Sequence, residues 1–94
     1  MRIEQLTDVF VKHLGARKDG AAYVVPADTD AVLFVALEGE TLSIAKVMRL
    51  ETTDTLVFLD TVRGERFVVA AEDVRAVRID KSEHLRKAGA GFGK

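Results

Sequence analysis

The spacing of apolar side chains changes once along this chain, from a helical period near the N-terminus to alternation and short apolar runs through most of the remainder. Over residues 2–14, steps of about 100° per residue put Ile3, Leu6, Val9, Phe10 and Leu14 on one arc, with Glu4, Asp8 and Lys12 opposite. This predicts an amphipathic helix, and Gly15 stands where a left-handed residue ends one. His13 falls inside the apolar arc and is expected to be a packed, hydrogen-bonded core residue.

From Ala16 onward the chain reads as strands and turns. Arg17-Lys18-Asp19-Gly20 is a charged turn, followed by a short strand at Ala21–Val25 that Pro26 stops and places at a sheet edge or before a turn. Ala31–Leu37 is apolar on both faces, and Glu38-Gly39-Glu40 is a compact hairpin connection. In Thr41–Leu50, the residues Leu42, Ile44, Met48 and Leu50 share one face with Lys46 interrupting. Thr55–Thr61 opposes Leu56 and Phe58 to Val57 and Leu59, and Val62-Arg63-Gly64-Glu65 turns the chain into Arg66–Ala71, where Phe67 and Val69 face one way. Val74–Ile79 closes the set. Val74 and Val77 are three apart, which suggests a tight helical turn entering that strand.

The core expected from this pattern is Leu6, Phe10, Leu14, Leu33, Val35, Leu42, Ile44, Leu56, Phe58, Phe67, Val69, Val77 and Ile79. Beyond it, Asp80 with Glu83 is a weak cap for a short helix through Ala88, and residues 89–94, with glycine at every second position, read as a mobile tail. Residues 1–80 are thus one helix-plus-β domain and 81–94 an appendage.

Composition narrows the class without naming an activity. Ninety-four residues, 48% of them apolar, make one modest core. There is no cysteine, so neither disulfides nor thiolate metal sites contribute, and a reducing compartment fits. The longest apolar run, Ala31 to Leu37, is seven residues, against about 20 for a membrane helix. With no leader-like apolar segment after Met1, the expectation is a cytoplasmic protein without a membrane partner. Net charge is −1, which gives no global attraction for nucleic acid or anionic lipid. Its distribution is uneven: residues 81–94 hold four basic and one acidic side chain, residues 1–80 ten basic and fourteen acidic.

Raw material for catalysis is scarce. The two serines are Ser43, inside a strand pattern, and Ser82, two residues before His84 in the tail, where nothing would orient a base. Two histidines in distant segments do not make a zinc site. Asp28 and Asp30 read as turn chemistry rather than a cation site, and the remaining acids fall mostly in turns. Gly-Ala-Gly-Phe-Gly-Lys at 89–94 lacks the preceding strand and following Ser or Thr of a phosphate-binding loop. Neither enzyme activity nor a cofactor is expected.

The helix Ile3–Leu14, the first hairpin Val35-Ala36-Leu37-Glu38-Gly39-Glu40-Thr41-Leu42 and the closing stretch Phe67 to Val77 follow an order that resembles the Sm-like proteins, a family of small SH3-type barrels. Glu38-Gly39 stands where such proteins often show Asn-Gly. Ala71-Glu72-Asp73 stands at the closing turn where they carry Arg-Gly or Lys-His. The resemblance implies a barrel, with an RNA-binding oligomer as its functional counterpart.

The expected fold is therefore mainly β, an N-terminal helix on a five- or six-stranded antiparallel sheet, strongly bent or closed into a small SH3/Sm-like barrel. The expected role is a non-catalytic protein–protein interaction or oligomerisation module. Its contact residues would be Tyr23, Arg63, Arg66, Arg75, Arg78, Arg86, Lys87 and Phe92, with Arg66 brought beside Arg75 or Arg78 across a final hairpin. The alternative, an Sm-like RNA-binding oligomer, would use the same arginines and the basic tail.

Overall fold

A computed structural model of the chain describes residues 1–81. The reading of 82–94 as a short helix and mobile tail lies outside them. Helix α1 (Ile3–Asp8) starts where the Arg2 N–H donates to Gln5 Oε1 at 3.1 Å, satisfying one of the free amide donors of a helix start. It passes directly into a π-helical turn, Val9–His13, in which the Leu14 N–H donates to the Val9 carbonyl at 3.1 Å, five residues back. Gly15, at φ +74°, ends the segment.

The wider turn corrects the placement of His13. Each residue of a π-turn rotates the chain by less than an α-helical residue, so His13 falls short of the apolar arc and is exposed. Leu6, Phe10 and Leu14 keep the inward face and are completely buried.

Eight strands follow among the described residues: β1 (Arg17–Asp19), β2 (Ala22–Val24), β3 (Thr29–Leu37), β4 (Glu40–Ile44), β5 (Val47–Thr52), β6 (Leu56–Thr61), β7 (Arg66–Ala70) and β8 (Val74–Lys81). They form two antiparallel sheets, ordered β1-β2-β5-β6-β7 and β4-β3-β8. The sheets do not close into a barrel: no ladder joins β7 to β8, so the anticipated final hairpin is absent. The count exceeds five or six for two reasons. Arg17–Asp19 is a strand rather than a turn, paired to β2 around Gly20-Ala21, with Gly20 at φ +65°. The stretch Thr41–Leu50 is two strands in different sheets, broken at Ala45-Lys46, where Lys46 takes φ +57°.

That break changes which face each residue presents. Ile44 and Val47 are both buried, three apart rather than two. A register shift in the β5–β6 ladder between Val47 and Arg49 then carries Met48 out to solvent and Leu50 in. A second shift opposite Phe34/Val35 explains the Val74–Val77 spacing, since Phe34 pairs with Ala76 but Val35 with Val74. The tight helical turn lies just upstream, at Ala71–Asp73. Asp80 is a residue of β8, not a helix cap.

The core lies where α1 and the π-turn meet the inner faces of both sheets, around Phe10, Leu33, Ile44, Leu50 and Leu59. Leu42, Phe67, Val69, Val77 and Ile79 pack on it half-buried. On β6 the expected face is inverted: Val57 and Leu59 are buried, while Leu56 is 39% exposed and Phe58 half-buried. The Met1 amino group donates to the carbonyls of Ala71 and Val74, both at 2.9 Å, which ties the start of the chain to the entry of β8.

The β3–β4 hairpin shows how closely turn chemistry follows backbone need. Glu38 and Gly39 are both left-handed, at φ +51° and +84°, the pair that a type I′ turn requires. Glutamate is poorly suited to that position, and asparagine tolerates it. Replacing Glu38 by asparagine is expected to raise unfolding stability by about 0.5–1 kcal/mol, as measured by urea denaturation.

Candidate functional site: the outer face and free edge of the five-stranded sheet

The register of β5, β6 and β7 sets two rows of side chains across the outer face of the larger sheet. One row is Arg49, Asp60 and Arg66, and the next is Glu51, Phe58 and Val68. The charged members form a chain. The Arg66 guanidinium bonds Glu51 and lies 3.3 Å from Asp60, and Arg49 stands 3.8 Å from the other Glu51 oxygen. Arg66 also covers the Phe58 ring, at 5.3 Å from its centroid. These groups are solvent-accessible, so each ion pair contributes at most about 1 kcal/mol and the cation–π contact a similar amount. Beside them, Val68 at 53% and Leu56 at 39% exposure leave apolar surface open to solvent.

The free edge of the sheet adjoins this apolar surface. Each sheet edge among the described residues presents backbone N–H and C=O groups with no strand beyond it, and proteins commonly blunt such edges with charge, brevity or bulges. Strand β1 is three residues long and entirely charged. Strand β8 carries Arg75, Arg78 and Asp80 and contains the register shift. Strand β4 is five residues long, begins at Glu40 and carries Thr41 and Ser43. Strand β7 reads Arg-Phe-Val-Val-Ala, with Arg66, its one charge, already drawn back over β6. Phe67 and Val69 point to the core side but remain half-buried, as expected of a strand without an outer neighbour.

Of the residues expected to make contacts, Arg66 belongs to this face. Arg63 is exposed in the adjoining turn, where Gly64 takes φ +85° and buried Thr61 Oγ1 accepts the N–H groups of Arg63 and Glu65. Arg75 and Arg78 lie on β8 in the other sheet, so Arg66 is not their cross-strand neighbour. Arg78 is paired with Asp80 at 3.2 Å, two residues along its own strand. Tyr23 is half-buried against the core, with the Lys18 ammonium 5.8 Å from its ring centroid, and its strand is interior because β1 covers the edge. Arg86, Lys87 and Phe92 lie outside the described residues.

Val68 carries no sequence-based expectation, and Leu56, expected in the core, lies instead on this exposed face. A usable signal was present: once Phe67 and Val69 are assigned to the core face, Val68 breaks the alternation, an apolar residue left on the polar face.

The Asp28 and Asp30 pair is otherwise engaged. Asp30 pairs with Lys46 at 3.6 Å and Asp28 accepts the Thr29 hydroxyl at 3.3 Å. Among the described residues no three His, Asp or Glu side chains converge on a possible metal site, and no helix is long and apolar enough to cross a membrane. Comparison of the chain with protein-family models, with curated proteins and with solved structures finds no match.

Proposed function

We propose that this protein is a non-catalytic interaction module that self-associates by adding a strand to the free edge of β7. The observation that carries the reading is the character of that edge, an apolar strand whose single charge is already neutralised, beside exposed Val68 and Leu56. Strand addition satisfies the open backbone groups through main-chain hydrogen bonds, and alternate side chains supply specificity. Engagement of Asp30 by Lys46 and of Asp28 by the Thr29 hydroxyl supports a role for this pair in holding its turn. The pairing of Arg66 and Arg78 with acids leaves fewer free cations for an RNA phosphate backbone, which favours a protein partner.

Substitution of Val68 by lysine tests the reading, because an edge lysine opposes strand addition while its long side chain remains solvated. Light scattering is expected to show a mass above the monomer for the native chain and the monomer mass for V68K. Far-ultraviolet circular dichroism should be unchanged, and Leu37→Lys, at a distant exposed hairpin position, should keep the native mass. A monomeric native chain across the micromolar range, or an oligomer unaffected by V68K, would overturn the proposal.

A further inference from the structure

Two open grooves flank the N-terminal helix, and their charges differ. One, of about 660 Å³, carries Lys12, paired with Asp8 at 3.5 Å, and the cation Arg75, unpaired among the described residues. The other, of about 570 Å³, lies between the start of α1 and the ends of β6 and β7. Its floor is apolar, formed by Ile3, Leu56, Ala70 and Ala71. Glu4, Asp54 and Glu72 stand around it, none engaged in an ion pair among the described residues. They outnumber the cations there, Arg2 and a Met1 ammonium whose hydrogen bonds go to two carbonyls.

Residues 82–94 have the complementary composition. They hold Arg86, Lys87 and Lys94 against Glu83, with Phe92 the one aromatic side chain, whereas residues 1–81 hold eleven basic and fourteen acidic side chains. We propose that the acid-rimmed groove receives residues 82–94 of a second copy of the chain, Phe92 entering the apolar floor and Arg86, Lys87 and Lys94 facing Glu4, Asp54 and Glu72.

Reach decides between the same copy and another. Ala71 and Glu72 line the groove, and β8 leaves from there, placing Lys81 about 23 Å away at about 3.3 Å per residue. Returning within one copy would consume about seven residues, so only residues 89–94 would arrive, with Lys94 as their single cation. In a second copy the whole segment, up to about 43 Å long, is available. Three cations and Phe92 then meet three carboxylates and the apolar floor together. The like-charged groove on the other side of the helix disfavours the same segment. This inference rests on the self-association proposed above and adds a second contact to it, one that places the groove of each copy against the tail of another.

Carbodiimide cross-linking of the full chain tests it, since the reagent joins lysine amines to carboxylates in direct contact. Equal amounts of ¹⁴N and ¹⁵N chain are mixed dilute, concentrated, cross-linked and mapped by mass spectrometry. The expected products join Lys87 or Lys94 to Glu4, Asp54 or Glu72, with about half of them in mixed-isotope pairs, and they fade at 0.5 M salt as screening shortens to about 4 Å. Phe92→Ala is expected to weaken association about tenfold by light scattering, the equivalent of losing about 1.4 kcal/mol of apolar contact. Same-isotope products alone, or lysines joined instead to Glu38, Glu40 or Glu65, would overturn the inference. If the native chain still associates and V68K still abolishes it, that outcome leaves the β7 reading standing. A chain monomeric at all concentrations overturns both.

Discussion

Truncating Leu59 to alanine is expected to cost about 3 kcal/mol of unfolding stability, and truncating Leu56 to alanine less than about 1. The two residues lie on the same six-residue strand and lose the same atoms, so the difference isolates the face each occupies. Leu59 is completely buried, paired across the sheet with Leu50 on one side and Phe67 on the other. Its removal leaves a cavity that the rigid ladder on both flanks cannot close, which adds to the lost transfer energy. Leu56 lies on the outer face, opposite Ala70, and its truncation removes surface already 39% accessible. Urea denaturation followed by circular dichroism measures both. A domain of this size has only about 5–10 kcal/mol in total, so L59A should unfold at a much lower midpoint while L56A stays near the native one. Equal losses would place the wrong face of β6 against the core.

Phe10→Ala is expected to be the most damaging single substitution, at about 3–5 kcal/mol. Phe10 is the largest of the fully buried side chains and stands in the π-turn, between α1 and the sheets. A helix this short has little stability of its own, and its persistence depends on tertiary packing of the buried face. Removing the ring therefore loosens the segment as well as opening a cavity. The thermal midpoint should fall by roughly 15 °C or more, at about 4–8 °C per kcal/mol. The milder Phe10→Leu keeps most of the volume and should lose less than half as much. A midpoint within 3 °C of the native value for F10A would mean that the helix is dispensable to the core.

Both residues show where sequence patterning is sufficient and where it stops. Leu6, Phe10 and Leu14 are legible because a helix needs one apolar arc, and an arc of five residues against charged neighbours has one orientation. His13 was assigned to that arc because the α-helical period was assumed, and a π-turn is a hydrogen-bonding choice with no marker in side-chain polarity. On β6 all of Leu56, Val57, Phe58 and Leu59 are apolar, so alternation carries no information about which pair turns inward. The ladders decide it, by setting Val57 opposite Val69 and Leu59 opposite Leu50. The strand at Arg17–Asp19 is likewise hidden, since three charged residues pair only because β2 and the turn at Gly20 present them to a ladder.

The candidate surface divides the same way. Arg63 and Arg66 are recognisable as exposed cations near a turn, but a one-dimensional chain does not say that β7 and β8 end in different sheets. Nor does it say that Arg66 and Arg78 each meet a carboxylate, which turns an apparent basic cluster into separate, neutralised pairs.

By itself, then, the sequence determined a mainly β domain with one N-terminal amphipathic segment, turns at Gly20, Gly39 and Gly64, and no cysteine chemistry. These follow from local causes: side-chain period, backbone permissiveness and composition act within a few residues. The tertiary structure alone decided strand number, the division into two unclosed sheets, the faces of β5 and β6, and the exposure of β7. Those depend on which strand lies beside which, and a register shift of one residue at Val47/Arg49 or Phe34/Val35 reassigns every side chain beyond it.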